Sequence, residues 1–332
     1  MMGNKKDLRR TRMSQLQRER KTNFLSGSIL FILALIICLS SCSKPETPAA
    51  STAEAKTFAS PDEAGKALMA AAQSGNPDTV VAIFGPESKQ LVASGDATQD
   101  KETADAFVAA YGTMNRWRKM DDKSQILVLG VDNFPFPIPL KQNGDGRWFF
   151  DTVAGKDEIL ARRIGRNELA AIKICGALGE AQAAYHSQPH DGAKQYAQKF
   201  ISDDGKQNGL YWKSAEGEPQ SPLGPLAAFA TTEGYTMQPN AHQPFHGYFY
   251  RMLTKQGAQA KGGAKDYVVN GKMTGGFAFV AYPAEYGNSG IMTFMTDQDG
   301  ILIQKDLGKT TTDVATAMTE FAPDATWTIV VQ

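Results

Sequence analysis

The chain has 332 residues with 35 basic and 35 acidic side chains, so its formal net charge is zero. Residues 1–41 hold eight of the basic and two of the acidic residues, which leaves 27 basic and 33 acidic residues and a net charge near −6. Nucleic acids and anionic lipid head groups are bound through a basic face. The charge balance therefore argues against either of them as the main partner.

The first 41 residues have the pattern of a secretory signal peptide. A basic stretch at 5–21 precedes an apolar run at 24–39, which is shorter than the about 20 residues that span a bilayer. This run ends in a sequence that resembles the lipobox of bacterial lipoproteins, Leu39-Ser40-Ser41-Cys42. We predict cleavage before Cys42 and lipidation of that cysteine. An uncleaved anchor helix is the alternative, and translation starts at Met1 or at Met13.

A lipidated Cys42 predicts an envelope protein that is held by its acyl chains on the periplasmic side of a membrane. By resemblance to enterobacterial sorting, an aspartate after the cysteine would retain the protein in the inner membrane. Ser43 stands there instead, which favours the outer membrane. With Cys38 removed and Cys42 acylated, one of the three cysteines remains, Cys175, so an internal disulfide is excluded.

Residues 42–57 are rich in Pro, Ala, Ser and Thr and predict a flexible tether. Residues 58–153 predict a small α+β domain with three helices before an antiparallel sheet. Capping signals and apolar spacing place the helices after Ser60, after Asn76 and over 100–119. Strand signals lie at 125–131, 136–142 and 147–152, with a hairpin turn at 143–146. This order is similar to the cone-shaped domain of nuclear-transport-factor-2-like proteins.

Residues 156–332 predict a second α+β domain, in which a long spine helix packs on an antiparallel sheet. The helix is predicted over 156–185 from an apolar stripe opposite charged residues such as Arg162, Arg163 and Arg166. A Gly/Pro-rich region follows at 203–263. Further strands are predicted at 248–253, 277–282, 290–296, 301–304 and 327–331, with a short helix at 311–320.

Four stretches carry a family resemblance: FHGYFYR at 245–251, DYVVNG at 266–271, YPAEYG at 282–287 and KDLG at 305–308. They resemble the DUF2950 family, bacterial exported proteins with a domain of unknown function, and the resemblance runs from about Phe58 to the end of the chain. It implies export and carries over no catalytic or binding residue.

The spine helix is also similar to that of type IV pilin and pseudopilin heads, where a long helix packs on an antiparallel sheet. The similarity rests on Arg166-Asn167-Glu168 and on the run at 181–185, AQAAY. In a pilin this helix continues into an apolar half, whereas here it is charged and follows another domain. A shared roll is expected, and assembly into a pilus is not.

The histidines form two pairs spaced by four residues, a spacing that places metal ligands on one face of a helix. They are His186 with His190 and His242 with His246. Pro189 and Pro244 interrupt the pairs, which favours ordinary loop histidines over a metal site. The glycine clusters match no phosphate-binding pattern, so no cofactor is predicted.

Three other features invite a functional interpretation. Cys175 falls on the inward stripe of the spine helix, which favours an inert core thiol over a nucleophile. Asp297 and Asp299 suggest calcium, but a hairpin turn explains them more simply. The aromatic residues of the C-terminal half, with Trp212, are expected to pack mostly in the core, and some of them to line a groove for a glycan or peptide.

These features favour a membrane-tethered, non-enzymatic binding or scaffolding module with an envelope protein or a cell-wall glycan as its partner. The alternative is a metal-dependent or hydrolytic enzyme that acts on a cell-wall or glycan substrate. The two readings differ in whether His186, His190, His242 and His246 converge in the fold.

Overall fold

Two capped helices begin the part of the chain that the computed structural model describes, residues 55–218, 220–236, 238 and 242–331. Helix α1 is Pro61–Gln73 and α2 is Pro77–Phe84. The Ser60 hydroxyl accepts from the Glu63 amide at 3.2 Å, and the Glu63 carboxylate accepts from the Ala59 amide at 2.8 Å. These two bonds confirm the start predicted for α1, with Glu63 reaching the residue before the N-cap Ser60.

Helix α3 is Lys89–Val92 and α4 is Ala97–Thr113. The prediction of a helix over 100–119 is wrong at its C-terminal end, because the chain becomes extended at Met114 and continues as strand β1, Asn115–Lys119. The apolar spacing predicted a helix here because an aromatic residue at position 117 can pack into the core from a helix or from a strand. The Trp117 ring lies 6.5 Å from the Phe150 ring in the core.

The first sheet is antiparallel and has the order β1-β2-β4-β5, with β3 paired to β2. Its remaining strands are β2 Gln125–Leu129, β3 Phe134–Pro135, β4 Leu140–Gln142 and β5 Trp148–Phe150. The strand predicted over 136–142 is shorter because prolines at 137 and 139 lack the amide that a ladder needs. The predicted turn at 143–146 is present, with Gly146 N donating to Asn143 O at 3.0 Å.

An apolar core fills the space between these helices and the sheet. Phe84 and Phe150 meet edge to face at 5.3 Å, and Phe58, Ile138 and Leu140 are buried beside them. Each such side chain stabilises the fold by roughly 1.5–3 kcal/mol through burial. The N-terminal helices are thereby fixed to their sheet.

The spine helix α5 is Thr152–Ser187. It begins earlier than position 156 because Asp151 Oδ1 accepts from the Ala154 amide at 3.1 Å and caps the helix. The predicted inward stripe is confirmed by the buried residues Ala171, Cys175, Leu178, Gln182 and Tyr185. Arg163, assigned to the charged outer face, is buried as well, and so is Asn167.

The second large sheet is antiparallel with the order β17-β15-β14-β13-β8. Its strands are β8 Tyr248–Leu253, β13 Ala278–Pro283, β14 Met292–Asp297, β15 Ile303–Asp306 and β17 Thr328–Ile329. Every residue of β13 is buried, although side chains alternate between the two faces of a strand. Helix α5 covers one face of the sheet and α7, Thr311–Ala317, packs against β13 as well. Strand β13 is therefore enclosed.

Short elements lie between the spine helix and the sheet and in the connections between the sheet's strands. They are β6 Pro189–His190, β7 Ala193–Lys194, α6 Gly224–Thr232, β9 Lys255–Gln256, β10 Lys265–Asp266, β11 Val268–Val269, β12 Lys272–Met273 and β16 Glu320–Phe321. No helix is predicted from the sequence at α6. Its segment, GPLAAFATT, is apolar on most sides and has no side-chain cap.

These elements make an α+β protein, as predicted. The division into domains 58–153 and 156–332, and the likeness to a cone and to a pilin head, stay predictions. Among the described helices, none combines the length and apolar character that crossing a bilayer requires.

Candidate functional sites in a polar junction and an aromatic groove

The histidines that the sequence singled out have separate environments. His186 stacks on Tyr196 at 4.3 Å, and His242 stacks on Phe249 at 4.4 Å. His190 stacks on Tyr185 at 3.6 Å, and its Nε2 donates to the carbonyl oxygen of that residue at 3.0 Å. Within the described ranges, no three His, Cys, Asp or Glu side chains are grouped as a metal would need.

His246 belongs instead to a cluster of buried polar groups, which we call the polar junction. Its members are Asp96, Gln99, Arg163, Asn167, Glu233, Tyr235, His246, Gly247, Asn288 and Ser289. They come from the segment around α4, from α5, from the end of α6, from the turn before β8 and from the loop between β13 and β14. Two stretches that carry the family resemblance, at 245–251 and 282–287, reach or border this junction.

Asp96 is at the centre of the junction and is 2% exposed. Its Oδ1 accepts from the Gln99 amide at 3.1 Å and caps α4. Its Oδ2 accepts from the Tyr235 hydroxyl at 2.8 Å and from the Gly247 amide at 3.0 Å. One carboxylate thereby joins three segments that are distant in sequence, and its oxygens are occupied by protein donors.

The turn at His246 and Gly247 depends on this carboxylate. Both residues have positive φ, 50° and 74°, a conformation that suits glycine and strains histidine. Phe245 and Tyr248 exchange backbone hydrogen bonds across the turn, at 2.8 and 3.2 Å. A Cβ on Gly247 would collide with the Asn167 amide, so only glycine fits there.

The imidazole of His246 lies against a carboxylate at the edge of the junction. Its Nε2 lies 3.1 Å from Glu233 Oε2, and the two side chains are 14% and 17% exposed. Burial raises the pKa of Glu233 above its ordinary value. The contact with His246 lowers this pKa, and the negative charge of Glu102 raises it further. A carboxyl group with a raised pKa beside a histidine is also what a catalytic site contains, so the pair is a candidate for acid–base chemistry.

Arg163 closes the other end of the junction. It donates to the carbonyl oxygens of Gln90 at 3.0 Å and of Leu91, and to the Asn288 side chain. Those carbonyls belong to the last turn of α3, where a helix has no internal donors. Arg163 is buried because it supplies them. Burial lowers its pKa, and the charge of Asp100 opposes that shift.

Asn167 connects the two ends. Its Oδ1 accepts from Gln99 Nε2 at 2.9 Å, and its Nδ2 donates to Ser289 O at 2.8 Å. Sequence reasoning missed this role, although a signal was present. Asn167 interrupts the apolar stripe of α5 between Ile164 and Ala171, and a polar residue at such a position needs buried partners.

Two other residues that the sequence suggested, Cys175 and Asp297, lie in the core and in a turn. Cys175 is 1% exposed, and burial raises the pKa of its thiol to about 12, which makes the thiolate a rare species. Asp297 lies in a turn where Gly300 N donates to its carbonyl oxygen at 3.0 Å. Predicted Cys42 lies outside the described residues. Several of the aromatic residues are core members: Tyr248, Tyr267, Phe277, Phe279 and Tyr282.

Trp212, by contrast, lines an open depression that we call the aromatic groove. The groove has a volume of about 410 Å³. Its walls are formed by residues 201–207, 211–213 and Glu218. They include two aromatic rings, Tyr211 and Trp212, and five charged side chains, Asp203, Asp204, Lys206, Lys213 and Glu218.

Local hydrogen bonds fix the walls of this groove. Asp203 N donates to Asn208 Oδ1 at 3.0 Å, and Asn208 Nδ2 donates to Asp203 Oδ2 at 2.9 Å. Gly209 N donates to the Ser202 hydroxyl at 3.0 Å, and a Cβ at Gly209 would meet the backbone of the facing segment. From the end of α5, the Tyr185 hydroxyl donates to Gln207 O at 3.0 Å. The groove is preformed.

A second, more apolar depression of about 330 Å³ lies beyond α7. It is lined by Met295, Met318 and Trp327 among others. The Lys305 ammonium lies 5.9 Å from the Trp327 ring, over its face. Trp327 is therefore a partly buried tryptophan at a different groove.

Comparison with known proteins identifies a family. The family described as "Protein of unknown function (DUF2950)" matches residues 55–330. No curated protein and no solved structure matches the chain.

Proposed function

The chain belongs to the DUF2950 family, and we propose that it is a lipid-anchored protein of the bacterial envelope whose folded part is a non-enzymatic binding or scaffolding module. The anchor is lipid on Cys42, with palmitate among its acyl chains, on the periplasmic side and in the outer membrane rather than the inner one. The partner is another envelope component, a protein or the cell-wall glycan.

Support for the anchor comes from the sequence. A basic stretch, an apolar run and the lipobox-like residues 39–42 follow one another in the order that lipoprotein export requires. One acyl chain holds a protein only weakly at a membrane, and two or more chains hold it stably. An N-terminal diacylglycerol with a further acyl chain meets that need.

The observation that carries the binding role is the preformed aromatic groove. Its walls are held by Asp203, Asn208 and Tyr185 without any ligand, so little conformational entropy is lost when a partner binds. The polar junction supports the same interpretation. There, Asp96 accepts from Tyr235 and Asn167 donates to Ser289, so these buried groups join distant segments, as structural groups do.

The anchor is tested in cells with an alkyne analogue of palmitate and fractionation of membranes. We expect wild-type protein to be labelled and to stay with the membrane fraction, and the Cys42→Ser variant to lose the label. Cys38→Ser is the matched control, since that cysteine lies in the same segment before the cleavage point, and it keeps the label. Equal labelling of the Cys42→Ser variant would refute the anchor.

A second candidate function is hydrolysis, which the His246–Glu233 pair favours. With Nε2 directed to Glu233, the other ring nitrogen would take a proton from a water that attacks an ester, amide or glycosidic bond. The test is release of soluble fragments from purified cell wall by wild type and by His246→Asn, since asparagine tolerates positive φ. Release by wild type that the variant lacks would overturn the non-enzymatic proposal.

A further inference from the structure

We propose that the aromatic groove is a glycan-binding site and that it takes a neutral chain containing N-acetylated amino sugars. This inference rests on the proposed function and names the ligand class of the binding module. It is carried by four properties of the groove, which are its apolar surface, its charge balance, its available side chains and its size.

The apolar surface comes from Trp212. The indole nitrogen of this residue is buried and has no hydrogen-bond partner among the described residues. The part of the Trp212 ring that lines the groove therefore consists of carbon atoms. A flat carbon surface suits the C–H face of a pyranose ring and the methyl group of an acetamide, which are the apolar parts of an N-acetylated sugar.

The charges of the groove nearly cancel. Three carboxylates, Asp203, Asp204 and Glu218, face two ammonium groups, Lys206 and Lys213. A polyanion would meet the excess of carboxylates, and a polycation would meet the lysines. Hydroxyl and acetamide groups both donate and accept, so a neutral glycan can use both kinds of side chain.

Two of these side chains are available to a ligand. Asp204 and Lys213 are exposed, and within the described part of the chain neither forms an ion pair. Asp203, in contrast, is held by Lys199 at 2.6 Å and by Asn208. The Asp203 carboxylate is thus bonded within the protein. The neighbouring Asp204 carboxylate can accept hydrogen bonds from sugar hydroxyls.

The size also fits a segment of a glycan chain. The volume of about 410 Å³ lies within the roughly 300–1,000 Å³ that is usual for small-ligand sites. The depression is open to solvent along exposed residues 204–207, so a glycan chain can continue beyond it. An enclosed pocket would accept only a terminal sugar.

The test is calorimetric titration of the full-length protein in detergent with the tetrasaccharide of N-acetylglucosamine. We expect saturable binding, and a loss of affinity of about tenfold or more in Trp212→Ala and in Asp204→Ala. Trp327→Ala is the matched control, a partly buried tryptophan at another groove, and it retains wild-type affinity. Asp204 is exposed, so its variant tests the site even where Trp212→Ala does not fold.

Two outcomes overturn the inference. One is no saturable binding of the tetrasaccharide by wild type, and the other is binding that Asp204→Ala and Trp212→Ala leave unchanged. A photo-crosslinking residue placed at position 204 in cells separates these failures from failure of the proposed function. Crosslinks to an envelope protein or a wall peptide, with no glycan binding, refute the glycan and keep the binding module. With neither glycan binding nor crosslinks, both proposals fall.

Discussion

The polar junction and the aromatic groove place similar side chains in opposite situations. At the junction, Asp96 and Arg163 are buried and bond to the protein around them. At the groove, Asp204 and Lys213 are exposed on walls that are already fixed. The difference teaches that a cluster of chemically capable residues indicates a ligand site only when its groups still have capacity to bond to something else.

The largest effect is expected where the junction has a single cation. Arg163→Met removes the donors to Gln90, Leu91 and Asn288 and leaves Asp100 without its positive neighbour. We expect the free energy of unfolding in urea to fall by about 3–5 kcal/mol. Arg162→Met is the control. It removes a half-exposed pair with Glu158 at 2.6 Å and one hydrogen bond to Pro135 O, with an expected loss of about 1 kcal/mol. Equal losses would mean that the junction is not structural.

A smaller effect is expected at the turn of the junction. Gly247→Ala combines positive φ with a collision against Asn167 and should cost about 2–3 kcal/mol. Gly146→Ala has a similar φ of 75° and open space around its Cβ, so it isolates the backbone strain, at about 1 kcal/mol. Thermal unfolding of both variants measures the difference. Equal midpoints would contradict close packing of Gly247 on Asn167.

The support of the groove predicts an effect of about 1 kcal/mol. Tyr185→Phe removes the hydrogen bond to Gln207 O and nothing else. We expect a modest loss of stability together with weaker binding of the tetrasaccharide, because the wall is less fixed. Tyr196→Phe, a ring that stacks on His186, is the control and should change neither quantity. Unchanged binding in Tyr185→Phe would show that this bond does not shape the groove.

The smallest expected effect is a difference in how the stability contributions of the two regions depend on pH. Burial raises the pKa of Glu233, so its contribution to stability is present below pH 4.5 and is lost as the pH rises through the raised pKa. Lys199 lowers the pKa of Asp203, so its contribution is present above pH 3.8 and is lost as the pH falls through the lowered pKa.

Urea unfolding at a series of pH values checks these signs. With rising pH, Glu233→Gln should gain stability relative to wild type, whereas Asp203→Asn should lose it. The two variants are each other's control, because one carboxyl lies in the junction and the other in the groove. Slopes of the same sign would contradict the contrast between the two regions.

The parts of the fold that local physics decides were predictable from the sequence. The cap at Ser60, the turn at 143–146, strand Tyr248–Leu253 and the stripe of the spine helix all follow from short-range spacing. The end of α4 was not, since Trp117 fits a helix stripe and a strand equally well. Whether Trp117 lies in a helix or in a strand depends on its packing against Phe150, which is distant in the sequence.

The junction was beyond sequence reasoning for the same reason. Asp96, Asn167 and Gly247 lie far apart in the chain and meet only in the folded state. Of the sequence candidates, His246 is in the junction and Trp212 is in the groove, but the partners that give each its role were not identified. Arg163 was expected on the surface because a charge is rarely buried unless helix carbonyls require it.

The most direct test of the account compares His246→Asn and Asp204→Ala in two measurements, the affinity for the N-acetylglucosamine tetrasaccharide and the urea midpoint. We predict that His246→Asn lowers the midpoint and binds the glycan as wild type does, and that Asp204→Ala keeps the midpoint and loses affinity. Loss of glycan binding in His246→Asn with full binding in Asp204→Ala would contradict the account and move the functional site to the polar junction.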